Sequence, residues 1–176
     1  MTRRADKPGA RAAARALLDD HGIKTPPIPI ERIARSLGIR VEYAPLDGDL
    51  SGLVCIRDGV PIVGMNALHA PSRQRFTLAH ELAHVQLHRR HLEHAVHVDR
   101  GPLRRDARAA EGLDPIEIEA NTFAAELLMP PDIIASALGG RSVDLEDDDA
   151  VVALARRFRV SPAAMRYRLS SLGEQS

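Results

Sequence analysis

The spacing of apolar positions changes several times along the chain, and each change predicts an element. Residues 11–21 are alanine-rich and contain Leu17 and Leu18, with Gly22 where a helix C-cap belongs, so a first helix is expected there. Residues 1–7 carry no apolar pattern and are expected to fray. Thr25-Pro26-Pro27-Ile28-Pro29 cannot continue a helix, because ring-locked prolines lack backbone donors, and it reads as a stiff connector. Ile30, Ile33, Ala34 and Leu37 then recur at helical spacing, and Gly38 stops them.

At Ile39 the period falls to two. Ile39, Val41 and Tyr43 alternate with Arg40 and Glu42, the mark of a half-buried strand. Leu53 to Arg57 and Val60 to Val63 flank Asp58-Gly59, the composition of a type I′ hairpin turn. Pro61 cannot donate to a ladder, which puts this strand, or at least its Pro61 end, at a sheet edge.

The helical period returns after Pro71-Ser72. Leu78, Leu82 and Val85 form one stripe, while Phe76, Ala79, Ala83 and Leu87 add a second. A helix apolar on both flanks belongs at the centre of a fold. Residues 89–114 are a polar excursion rich in His and Arg, expected to be mobile, with room for a short strand at 95–98. Asp114 and Pro115 suit the N-cap and first position of a further helix. It turns Ile116, Ala120, Phe123 and Leu127 inward and ends before Pro130-Pro131. A short helix over 132–138, an acidic run at 146–149 and two helices over 151–158 and 162–172 complete the pattern. Helices gathered round a hairpin-based, mostly antiparallel sheet make an α+β fold. The expected organisation is a main domain over 1–138, a linker over 139–148 and a helix-turn-helix-like pair over 149–176 packed on it.

Composition narrows the function. A chain of 176 residues supports one core with a small appendage. Lys plus Arg equals Asp plus Glu at 24 each, so a wholly basic nucleic-acid binder is not indicated. Cys55 is the single cysteine, which excludes an internal disulfide framework and a thiolate metal cluster. Its place in a strand suggests a small core residue. No apolar stretch follows the N-terminal charges and no apolar run approaches membrane length. The chain therefore reads as cytoplasmic, with no membrane partner.

The central helix carries the chemistry. His80-Glu81-Leu82-Ala83-His84 is H-E-x-x-H, which puts two imidazoles on one helical face about 6 Å apart at Cβ. That separation lets both reach one zinc ion at about 2.0–2.1 Å. Glu81 is rotated about 100° away, so it flanks the ion and can serve as general base. A catalytic zinc needs one more protein ligand. In the class with H-E-x-x-H-x-x-G-x-x-H, that ligand is a histidine six residues on. Here Arg90 stands in its place and Leu87 replaces the glycine, so a carboxylate from the 115–129 helix is expected instead. Glu117 and Glu119 are the choices. Asn121, one turn after Glu117, can accept from the outer N–H of a ligating histidine, which favours Glu117 as ligand over Glu119.

Two blocks, Arg73-Gln74-Arg75-Phe76-Thr77-Leu78-Ala79-His80-Glu81-Leu82-Ala83-His84 and Ile116-Glu117-Ile118-Glu119-Ala120-Asn121-Thr122-Phe123 continuing to Pro130, resemble the ImmA/IrrE family of zinc metallopeptidases. The resemblance runs from about Ile30 to Pro131, and the last two helices also resemble the family's continuation. It implies a zincin-like fold with an active-site helix under the sheet and one zinc ion per chain. His80, His84 and Glu117 would be ligands and Glu81 the general base. It also implies cleavage of a regulatory protein, typically a helix-turn-helix repressor, to derepress a mobile element or stress regulon. The competing class is a non-catalytic regulator whose C-terminal helices bind DNA or a partner repressor, its zinc structural or vestigial.

The remaining polar groups are less specific. His69, Arg73, Arg75 and Tyr167 are candidates to stabilise an oxyanion. A substrate would lie extended along the edge near Val60–Val63. His88 continues the line of His80 and His84 and could orient the site from outside, but a partly exposed helix-end histidine is the expected reading. His91, His94 and His97 in a polar loop suggest only adventitious metal binding. Arg166 and Arg168 could meet phosphates if the C-terminal helices touched DNA, a contact the balanced charge disfavours.

Overall fold

The computed structural model describes residues 3–101 and 114–174. Helix α1 spans Lys7–Asp20 and α2 spans Ile30–Ser36. Strands β1 (Arg40–Ala44), β2 (Gly52–Arg57) and β3 (Val60–Asn66) follow. Helix α3 (Pro71–Leu87), one turn α4 (Arg89–Leu92) and strand β4 (His97–Asp99) come next. Beyond residues 102–113 lie α5 (Pro115–Leu128), α6 (Pro131–Leu138), α7 (Asp148–Phe158) and α8 (Pro162–Gly173). Most of the polar excursion after Asp99 thus falls outside the described residues.

The sheet order is β1-β3-β2-β4. β1 runs parallel to β3, and the two pairings of β2 are antiparallel. Between β2 and β3, Asp58 (φ 51°) and Gly59 (φ 78°) both take positive φ, the type I′ geometry their composition predicts. The placement of β3 corrects the expected substrate edge. β3 is interior, and the edges among the described residues are β1 and β4. Pro61 is tolerated because the β1 ladder begins only at Arg40↔Ile62, so no partner strand lies opposite the missing Pro61 donor.

Helix α3 packs against β2, β3 and α5. Every residue from Thr77 to Val85 is buried, as two apolar flanks demand. Leu78, Leu82, Phe123, Leu127, Val54, Val63 and Met65 fill the space between helices and sheet. Helices α7 and α8 send Phe158 and Met165 into the same core. Cys55 is half-buried in β2, outside that core.

Helix α5 buries three carboxylates, Glu117, Glu119 and Glu126, each at 5 % exposure or less. Buried charge is tolerated only with partners. Glu126 is paired with Arg15 and with buried Arg168. Glu119 accepts from Arg3 Nη2 at 3.0 Å and from the Asp6 backbone N–H at 2.7 Å. The stretch just before α1, expected to fray, is therefore tied down from Arg3 onward. Asp6 also caps α1 by accepting from Gly9 N–H.

Candidate metal centre

Three elements converge on one point. His80 and His84 come from α3, Glu117 from the first turn of α5 and His97 from β4. Asp114 starts α5 by accepting from Ile116 N–H, which sets the direction in which Glu117 points. His80 Nε2 and His84 Nε2 stand 3.1 Å apart. Glu117 Oε2 is 3.3 Å from the first and Glu117 Oε1 is 3.4 Å from the second. All four side chains offer donor atoms within 4.8 Å of one another.

The outer nitrogens settle the proton positions. Asn121 Oδ1 lies 3.0 Å from His80 Nδ1 and accepts its proton, leaving His80 Nε2 with a lone pair. His84 Nδ1 faces His88 Nδ1 at 3.2 Å, and His88 Nε2 donates to Glu119 Oε2 at 2.8 Å. Since His88 spends its ring proton on Glu119, its Nδ1 accepts from His84, and His84 Nε2 also keeps a lone pair. Burial holds the His88 pKa below the ordinary histidine value despite Glu119, so the ring is neutral as this chain of bonds requires. Burial pushes Glu119 the other way, but the Asp6 N–H, His88 and Arg3 outweigh it and hold the carboxylate ionised.

Two lone pairs and a carboxylate turned toward one another repel unless a cation lies between them. Donors arranged tetrahedrally about a zinc-sized ion at about 2.0–2.1 Å stand about 3.3–3.4 Å apart. The observed 3.3 and 3.4 Å separations match that edge, and 3.1 Å between the imidazoles is close to it. His97 Nε2 is buried without a hydrogen-bond partner, 3.5 Å from Glu117 Oε1. Donor set and geometry fit a divalent metal ion.

Glu81 is fully buried beneath the start of β2. Gly52 makes room there, because a Cβ would stand 2.8 Å from Thr77 Cγ2 and 3.7 Å from Glu81 Cγ. The structure thus brings His80, His84, Glu117 and Asn121 together, with Glu81 on the same helix. Glu119 turns instead to His88. The oxyanion candidates are engaged elsewhere or exposed. His69 contacts Asn66, Arg73 donates to Ser51, Arg75 donates to the Ile28 and Arg159 carbonyls, and Tyr167 is 78 % exposed.

Sequence reasoning noticed two residues but ranked them too low. His88 is 3 % exposed and sits between two buried partners, not at a solvated helix end. Its spacing at i+4 from His84 was the available signal. His97, grouped with His91 and His94 as a loop histidine, joins the cluster through the Val54↔His97 register of β2 and β4. Burial lowers the His97 pKa, against the pull of Glu117, so this ring too favours its neutral form.

No curated protein matches the chain. Among solved structures it is similar to a Mycobacterium tuberculosis transcriptional regulator, with TM-score 0.57 and 19 % identity. The similarity covers 92 % of this chain and 46 % of the regulator, so the chain spans about half that protein's length. At such identity the likeness concerns the fold. No described helix is long and apolar enough to cross a membrane. The IrrE N-terminal-like domain of the Peptidase M78 family matches residues 34–170, a stretch that contains every residue of the metal cluster, and the chain belongs to that family.

Proposed function

We propose that this protein is a zinc-dependent endopeptidase, acting in the cytoplasm on a regulatory protein of the helix-turn-helix repressor class. One observation carries the reading. The Nε2 lone pairs of His80 and His84 converge with the Glu117 carboxylate, on the helix that also carries buried Glu81, in a peptidase family. A zinc ion bound there would supply a Lewis acid for the scissile carbonyl and an acidified water as nucleophile. The chain's residues do the rest. Asn121 and His88 fix the two imidazoles in the tautomer that presents Nε2. Glu81, in a water-poor position, takes the nucleophile's proton and passes it to the leaving amine. An extended peptide would join the sheet on its β4 side, an edge among the described residues and the side on which the cluster lies.

The test is Glu81→Gln, assayed on a co-expressed helix-turn-helix repressor with zinc content measured in parallel. Cleavage lost with zinc retained supports the reading, and cleavage that survives overturns it. The runner-up is a non-catalytic regulator. It draws on the exposed Tyr167 of α8 and requires specific DNA retardation at physiological salt.

A further inference from the structure

We propose that His97 is a fourth protein ligand to the ion, filling in the free protein the position that a hydrolytic site leaves to water. Strand β4 then has to move before a peptide bond can be attacked. The inference rests on the zinc-peptidase reading above and adds to it how the site is kept closed.

Three observations carry it. First, His97 Nε2 is a buried polar atom with no hydrogen-bond partner. Such an atom is costly and calls for an explanation. Its 3.5 Å separation from Glu117 Oε1 is too long for a good hydrogen bond and close to the edge of a coordination tetrahedron. Secondly, the His97 ring centroid lies 3.9 Å from that of His84, so the imidazole sits inside the cluster and not at its rim. Four protein donors about one zinc are the composition of a closed, structural site, whereas a hydrolytic site has three.

Thirdly, the element that delivers His97 is short, and its contacts outside the ladder gather at the far end from His97. β4 is three residues long and pairs only with β2 among the described residues. Its Asp99 end is fastened: Ser51 N–H donates to the Asp99 carbonyl at 2.8 Å, and Gly101 N–H donates to Asp99 Oδ1 at 2.9 Å. Arg73 secures the same corner by donating to Ser51 Oγ. The His97 end follows exposed Val96 and keeps 23 % of the histidine side chain in contact with solvent. A peptide strand competing for β4's place beside β2 would draw His97 away and open the coordination position in one motion.

The experiment replaces zinc with cobalt(II) and records the visible spectrum during azide titration, for the wild type, His97→Ala and His97→Phe. The phenylalanine variant keeps the ring volume, so the comparison survives if alanine unsettles β4. The expected result is an intense four-coordinate spectrum in the wild type that azide leaves unchanged. Both variants should respond to azide and bind zinc at least about tenfold more weakly in chelator competition. A wild type that binds one cobalt and responds to azide as the variants do overturns the inference and leaves the proposed function standing. A wild type that takes up no cobalt overturns both.

Discussion

The Nδ1 atoms of His84 and His88 lie 3.2 Å apart, and the second nitrogen of each ring is committed in the opposite direction. His84 Nε2 faces His80 and Glu117, while His88 Nε2 reaches Glu119, which Arg3 and Asp6 hold from its other side. Proton position at the metal centre is therefore set by a buried line of groups that ends just ahead of α1. Outer partners of this kind typically govern metal affinity by about 10–100-fold. His88→Ala and Glu119→Gln should each weaken zinc binding within that range and leave the far-ultraviolet circular dichroism unchanged. Chelator competition measures the first effect. Affinity equal to the wild type in both variants would show that the line does not act on His84.

Local and non-local parts of this centre differed in how far they could be read from the chain. His80, Glu81 and His84 are fixed relative to one another by helical geometry, and Glu117 and Asn121 are likewise one turn apart on their own helix. Those relations need no knowledge of tertiary structure. Glu119 was legible only as a rival to Glu117, because choosing between them depends on how α5 rotates against α3. His88 looked exposed for the same reason: its burial comes from Glu119 on another helix. His97 reaches the cluster through three strand pairs across more than forty residues of sequence; the alternation at Val96 and Val98 allowed a short strand there, but nothing local told which strand it would join. Pro61 was legible only in part: its own end of β3 lacks a partner on the β1 side, as its missing donor requires, but the rest of β3 is interior.

Gly52 marks a close approach of the sheet to α3. A Cβ there would meet Thr77 Cγ2 at 2.8 Å and the Gly64 carbonyl oxygen at 3.0 Å. The side chain can turn away, but the backbone oxygen cannot. Gly52→Ala is expected to destabilise by about 1–3 kcal/mol, the usual cost of overpacking a dense core. Adding Thr77→Ala should recover part of this and not all, because the carbonyl contact remains. Urea unfolding of the wild type and the two variants measures it, and full recovery in the double variant would show that Gly64 had yielded.

Tyr43 supplies the pH dependence. Partial burial, together with the hydrogen bond its hydroxyl donates to Glu31 Oε1 at 2.7 Å, pushes its pKa up to about 12 from the usual 10. The folded state thus keeps the phenol proton that the unfolded chain loses first. The resulting stability is fully present below pH 10 and is lost as pH rises through about 12. The chain has no tryptophan and only two tyrosines, so in a Tyr167→Phe background tyrosinate absorbance reports Tyr43 alone. Its midpoint is expected near 12 and should fall in Glu31→Gln. A midpoint at 10 would remove the Glu31 bond from solution.

Arg168 ties the last helix to the rest of the fold. Offered by the sequence as a phosphate contact, it is 5 % exposed, donates from Nε to the Met129 carbonyl at 2.9 Å and is paired with Glu126. Arg166 is different: it is partly exposed and bound to Asp148 and the Leu145 carbonyl. Truncating one member of a buried ion pair typically costs about 3–5 kcal/mol, because the remaining charge is stranded. Arg168→Ala should fall in that range, since Arg15, the other partner of Glu126, is largely exposed and compensates poorly. Arg168→Lys keeps the charge but loses the two-pronged geometry, so it should fall between wild type and alanine. Arg166→Ala should cost at most about 1 kcal/mol, as surface pairs do. Denaturant unfolding separates the cases. A guanidinium that read phosphates would behave in reverse, with Arg168→Ala leaving stability untouched and weakening DNA retardation. The buried contacts with Glu126 and Met129 argue that α8 is a clamp on the end of α5, and that Arg168 serves the fold that positions Glu117.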